Sequence, residues 1–254
     1  MMIAYTVFFL SQIHYYDSAY AAQGPGLSWG WIIIGASMLA SMIVSGIMKS
    51  RMTEYSEMII PLSGKDIAQR MLEANGIHDV RVISTPGSLT DHYNPADKTV
   101  NLSESVYDAH TVAAAAVAAH ECGHAVQHAQ AYHWLSLRSA LVPLVNFSSK
   151  LSQIVLFLGI ILLAMGNSPT VAWVGLALFA TTTLFAFVTL PVEFDASRRA
   201  LAWIQSSGLS STVHYDKARN ALFWAAMTYV VGALSSLAML LYYAMRIMAA
   251  GRRE

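Results

Sequence analysis

Charge is what this chain has least of. Only 12% of its 254 residues are Asp, Glu, Lys or Arg, against roughly a quarter in an average soluble domain. Acidic and basic side chains balance to a formal net charge of zero, so a nucleic-acid partner finds no electrostatic footprint and none is expected. The one cysteine, Cys122, excludes an intramolecular disulfide and a cysteine-rich zinc knuckle. No Lys or Arg occurs in residues 1–26. The short apolar run Ile3–Leu10 therefore lacks the basic n-region of a signal peptide, although Ala19-Tyr20-Ala21 resembles a cleavage site. A loose extracytoplasmic tail or a short interfacial helix fits that stretch better. No internal repeat is present, and the only low-complexity stretch is the alanine run 113–116.

Apolar residues fill the space that charge leaves: 56% of the chain is hydrophobic. A bilayer-spanning helix needs about 20 such residues in a row. Leu27–Met48, Val171–Leu190 and Ala221–Met245 qualify plainly. Leu141–Met165 qualifies with a polar N-terminal half, Asn146 and Ser148-Ser149-Lys150, expected to be interfacial or buried in protein. Gly166-Asn167-Ser168-Pro169 closes a helical hairpin with the following span. Gly232, Ser235 and Ser236 would admit a close neighbour in the last span. The expected layout is a tail over 1–26, a span over 27–48, a polar domain over 49–139, a hairpin over 140–191, a helix over 192–220 and a last span over 221–248. The fold class is thus an α-rich membrane protein of about four transmembrane helices, with a small α+β domain between the first and second. Lys49, Arg51, Arg138, Arg198, Arg199, Lys217 and Arg219 share one side of this layout, which makes that side cytoplasmic, against Arg246, Arg252 and Arg253 on the other.

Within the polar domain, Ser63 is placed to cap a helix carrying Ile67, Met71 and Leu72, which Asn75-Gly76 stops. Val80–Ser84 is β-rich, and Asp91–Tyr93 with Thr99–Leu102 flank a five-residue hairpin loop. The alanine run then starts a strong helix reaching about Ala131.

On that helix stands His120-Glu121-Cys122-Gly123-His124. Residues four apart lie on one helix face, so both imidazoles can converge on one zinc ion. Glu121, about 100° round the helix, can reach a water there without ligating the metal. A catalytic zinc site needs a third protein ligand. His128 lies about 12 Å along the axis from His120, too far to share an ion. His133 would require a metzincin pattern, but Gln127 and Gln130 stand where that pattern has Gly and His. Cys122 faces away from the two imidazoles. Carboxylates beyond the hairpin remain: Glu193 and Asp195 in Pro191-Val192-Glu193-Phe194-Asp195-Ala196-Ser197-Arg198-Arg199, an expensive place for acids without a partner. A hairpin that leaves the metal helix and returns to the same surface brings them back beside His120. Glu193 is favoured, in part on the resemblance that follows.

The segments Ser63-Gly64 to Val80, Leu89–Tyr93, Leu102–Tyr107, Ala118–Ala125 around the paired histidines, and Pro191–Ser197 together resemble the membrane-embedded neutral zinc metallopeptidases of the YugP type. The similarity covers about residues 55 to 245; the long histidine- and tyrosine-bearing N-terminal stretch departs from it. The layout is also similar to HtpX-type and CAAX prenyl proteases, whose third zinc ligand is the Glu of a Glu-x-x-Ala pattern, here Glu193-Phe194-Asp195-Ala196. The resemblance implies a gluzincin domain in an integral protein of the cell's inner membrane, with zinc held by His120, His124 and Glu193. It implies an endopeptidase with Glu121 as general base, acting on polypeptides that are themselves membrane proteins or membrane-associated. Substrate in such folds pairs along a sheet edge; Val100, Asn101 and Leu102 are the candidate edge, with Asn94 at its approach. Asp195 is a candidate support for the ligands, and Arg198, Arg199, His214 and Tyr215 are candidates to stabilise an oxyanion, among which the sequence does not choose.

Two other readings stand beside this one. Glu121-Cys122-Gly123-His124 is also a Glu-x-x-His, but di-iron bundles need that signature twice and no second copy exists. A non-proteolytic zinc-binding membrane scaffold is the alternative, and the intact non-ligand acid Glu121 argues against it.

Overall fold

The computed structural model describes residues 29–208 and 212–251. The N-terminal tail lies outside the described residues. Among the described residues, seven helices and three strands follow one another as α1 (Trp29–Ser56), α2 (Gly64–Ala74), β1 (Arg81–Thr85), β2 (His92–Asn94), β3 (Thr99–Ser103), α3 (Glu104–Tyr107), α4 (Val112–Ala129), α5 (His133–Ala164), α6 (Thr170–Ser206) and α7 (Thr212–Gly251). Trp29–Ser56, His133–Ala164, Thr170–Ser206 and His214–Ala250 are each long and apolar enough to cross a membrane. The protein is therefore helix-rich, with four candidate spans and one small sheet.

Backbone contacts divide the chain into two units. One unit comprises residues 29–41, 140–187 and 231–251 of the described chain. Its hairpin packs backbone to backbone: a Cβ on Gly159 would stand 2.3 Å from the Ala172 nitrogen, and one on Gly175 would stand 2.4 Å from that of Leu156. Gly166, at φ 78°, takes the left-handed turn between the two helices. Ile34, Leu156, Ile160, Leu176, Met239 and Ile247 form the interior of this unit, while Leu39, Ile154, Val174 and Leu234 are exposed, as lipid-facing side chains are. The Thr183 and Ser236 hydroxyls share a hydrogen bond of 2.6 Å. Gly232, in contrast, has nothing within 4 Å of where its Cβ would be. Close approach on the last span is made at Ser236, and at Tyr242 facing Gly30 of α1, while backbone meets backbone at the hairpin glycines.

The other unit comprises residues 42–139 and 188–230. The polar insert is thus completed by the C-terminal part of α6 and the N-terminal part of α7. Ser63 caps α2 in a reciprocal capping box with Asp66, and Gly76, at φ 68°, follows its end. The sheet order is β1-β3-β2, parallel between β1 and β3 and antiparallel between β2 and β3. Asn94 belongs to β2 and pairs with Thr99, which shortens the hairpin loop to residues 95–98. The edge strand expected at Val100–Leu102 is instead the middle strand, buried at every position from Thr99 to Ser103. Its polar residues are buried because they have partners: Asn101 donates to Thr99, and Ser103 donates to Asp91.

Two expected helix boundaries also move. The first span continues as α1 to Ser56, so residues 49–56 are helical while still packing with the polar unit, whose core includes Tyr55. The separate helix expected over 192–220 does not exist, because Pro191 lies inside α6. Proline removes one backbone hydrogen bond, a loss that a long helix packed among others can absorb. The chain leaves α6 at Gly208, which takes the left-handed conformation at φ 67°.

Candidate metal centre

Helix α4 begins at Thr111, whose hydroxyl accepts from the Ala114 N–H at 3.2 Å, and the alanine run extends it. One turn apart on α4, the His120 and His124 rings meet edge to face with centroids 4.9 Å apart. Helix α6 supplies the third donor. Glu193 Oε2 lies 3.3 Å from His120 Nε2 and 3.8 Å from His124 Nε2. Its approach depends on Gly123 and Ala196, because a methyl group on Gly123 would stand 2.5 Å from the Ala196 carbonyl oxygen.

Among the described residues, His120, His124 and Glu193 are the group able to hold a metal ion, with donor atoms all within 4.8 Å of one another. Tetrahedral donors at zinc's usual ligand distances sit about 3.3–3.4 Å apart, so the spacings of 3.3 and 3.8 Å from Glu193 to the two imidazoles need little adjustment. The donor chemistry agrees as well: two imidazoles and a carboxylate, with no thiolate. Burial pushes His124 down to about 4, which leaves its imidazole neutral and able to coordinate. Burial acts against the charge on His120 too, but its hydrogen bond to Glu193 and the nearby Glu121 outweigh that and raise it. Each imidazole has a partner for its other nitrogen. His120 Nδ1 lies 3.1 Å from Ser197 Oγ, and His124 Nδ1 lies 3.0 Å from Gln127 Oε1.

Glu121 does not join the donor group. Its Oε2 accepts from the Tyr93 backbone N–H at 3.0 Å, and burial raises its carboxyl to about 7. An N–H directed at Glu121 is not directed at β3, so the outer edge of β2 faces α4 at this residue. The Tyr93 hydroxyl reaches α4 as well, 2.7 Å from His128 Nδ1.

The remaining expected residues divide sharply. Asp195, 6% exposed, stands beside the centre and not in it, held by Gln127, Arg198 and Arg199. Arg199 also donates to Gln130, so both arginines are engaged away from the three donors. His214 lines a small cavity with Trp203, Val112 and Ala218 instead of the centre, and Tyr215 packs against the core of the unit. Asn94 closes the hairpin turn by binding Asp97 and the Ala96 N–H. Cys122 is buried against the Ala68 carbonyl. Sequence reasoning missed Tyr229 of α7, which interacts with both Glu193 and Glu121, and Arg138 of α5, whose charge acts on His124 and Glu193. It also missed Gln127 and Ser197, although Ser197 is one helical turn beyond Glu193 and Gln127 is three residues beyond His124.

Residues 30–248 match the family described as "Putative neutral zinc metallopeptidase". The curated protein "Putative membrane protease YugP" of Bacillus subtilis (strain 168) is 42% identical over 209 residues, which cover 82% of this chain and 91% of that one. No solved structure matches. By these matches and by its donor group, the chain belongs to the YugP-type membrane zinc metallopeptidases, with zinc as the cofactor.

Proposed function

We propose that this protein is a membrane endopeptidase that hydrolyses peptide bonds with Glu121 as general base, on a gluzincin-like domain carried by its spanning helices. The observation that carries the proposal is a buried carboxylate one residue from His120 that is not among the three donors. A scaffold that only stores zinc has no use for such an acid. Zinc held by His120, His124 and Glu193 would supply Lewis acidity, bringing a water's proton loss towards neutral pH. Glu121, raised towards 7, is matched to accept a proton in that range and to return it to the leaving amine. Tyr229, whose phenol is coupled electrostatically to both carboxylates, is the side chain we assign to donate a hydrogen bond to the developing oxyanion. Tyr229→Phe should lower kcat by roughly 10²-fold without changing zinc content, as a parallel assay of activity and metal would show.

The substrate strand pairs along the free edge of β2, not β3. Its backbone then runs past Glu121, and a substrate carbonyl that accepts the Tyr93 N–H frees the Glu121 carboxylate for the water. The reading is tested with purified protein in detergent and an unfolded polypeptide. Cleavage should stop with a zinc chelator and resume with added zinc; cleavage indifferent to the chelator would refute it.

The active site faces the cytoplasm, where the basic residues after the first span and over 192–219 cluster. A cysteine placed at Ser88 should resist an impermeant thiol reagent in intact cells and react after lysis. Labelling of intact cells would reverse the orientation. Polypeptides in or near the same membrane are the substrates within reach.

A further inference from the structure

Beside the centre stands Gln127, which is wholly buried. Its Oε1 stands 3.0 Å from His124 Nδ1. Its Nε2 donates to the Val192 carbonyl at 2.8 Å and to Asp195 Oδ2 at 2.9 Å. Both Nε2 partners are acceptors without protons to give, so the amide nitrogen must face α6 and the amide oxygen must face His124. An amide oxygen can only accept, so the proton of His124 sits on Nδ1. Nε2, the atom on the Glu193 side, is left with its lone pair free.

We infer that Gln127 is a positioning residue of the metal centre: one side chain sets the tautomer of His124 and ties the helix bearing the histidines to the helix bearing Glu193. This rests on the zinc reading above and deepens it. Val192 immediately precedes Glu193, so the Gln127 bond fixes the α6 backbone next to the third donor. Asp195, through Arg198 and Arg199, anchors the other end of the link. The chain of bonds thus runs from the arginines through Asp195 and Gln127 to His124. A metal-ligating histidine commonly gives its other N–H to a carboxylate or carbonyl; here an amide from the histidine's own helix takes that place and passes the link on to a carboxylate.

The experiment compares zinc affinity, by competition with a chromophoric chelator, for the full-length parent, Gln127→Met and Gln127→Glu in detergent. Methionine matches the length and supplies no comparable hydrogen bond, and is expected to weaken zinc binding by about 10–100-fold. Glutamic acid restores an acceptor for His124 and, when protonated, a donor to Asp195, and should recover most of that loss. The zinc-free unfolding midpoint of each variant is the control, because a purely packing role would move the midpoint and leave the affinity alone. Parent-like zinc affinity in Gln127→Met, or equal losses in both variants, would overturn the inference. If the methionine variant fails to fold, Gln127→Asn takes its place: it is too short to reach both helices, and parent-like affinity there would overturn the inference equally. A parent chain that takes no zinc would instead overturn the metal reading itself, so the two failures are distinguishable.

Discussion

Glu121→Gln should reduce peptide hydrolysis by roughly 10²–10⁴-fold, the usual contribution of a general base, while zinc stays near one per chain. Glutamine keeps the size of glutamate and can still accept the Tyr93 N–H through its amide oxygen, so the local contact at 3.0 Å survives. What it loses is the ability to take a proton from water. The side chain is buried, so no bulk base readily replaces it. Parallel measurement of kcat and of bound zinc separates this outcome from damage to the site. A variant that keeps most of its activity would remove Glu121 from the mechanism, and one that loses its zinc would make Glu121 a ligand.

The second large effect separates the two acids of α6. Glu193→Ala deletes a donor 3.3 Å from His120 Nε2 and leaves two imidazoles alone, a set that binds zinc far more weakly than three ligands do. The purified variant should contain little zinc and no measurable activity. Asp195→Ala removes an acid that touches Gln127 and two arginines but no donor atom of the centre. Its zinc should remain, bound about 10–100-fold more weakly. An empty Asp195→Ala beside a zinc-loaded Glu193→Ala would exchange the two assignments.

What was legible in the sequence is what local geometry encodes. His120, Glu121 and His124 lie within one turn and a half of a single helix, and the periodicity of that helix alone decides which side chains converge. The same holds for Ser63 and Asp66, whose capping box is a contact between near neighbours. Glu193 is a long-range contact and could be narrowed only to a pair of acids by topology. The resemblance to a known family favoured one of them. The sheet shows where pattern fails. Val100 and Leu102 alternate with Thr99, Asn101 and Ser103, the pattern of a strand with one wet face. Yet the polar positions are buried because Asp91 and Thr99 satisfy them. A central strand with internally bonded polar residues therefore looks the same as an edge.

Gln127 was legible only as a mismatch to a metzincin pattern. Its partners on α6 stand 65 and 68 positions away, and no local rule connects them. The boundary expected between 191 and 192 follows the end of the apolar run, which is not the end of the helix. Proline ends most helices, but here α6 continues through it and places Glu193 just beyond. Helix α6 ends at Ser206, and Gly208 follows in the left-handed conformation.

Elemental analysis of the purified full-length protein tests the central claim most directly, namely that His120, His124 and Glu193 hold one zinc ion. The parent should contain about one zinc per chain, and His124→Ala should contain almost none; two irons per chain in the parent, or full zinc in the His124→Ala variant, would contradict it.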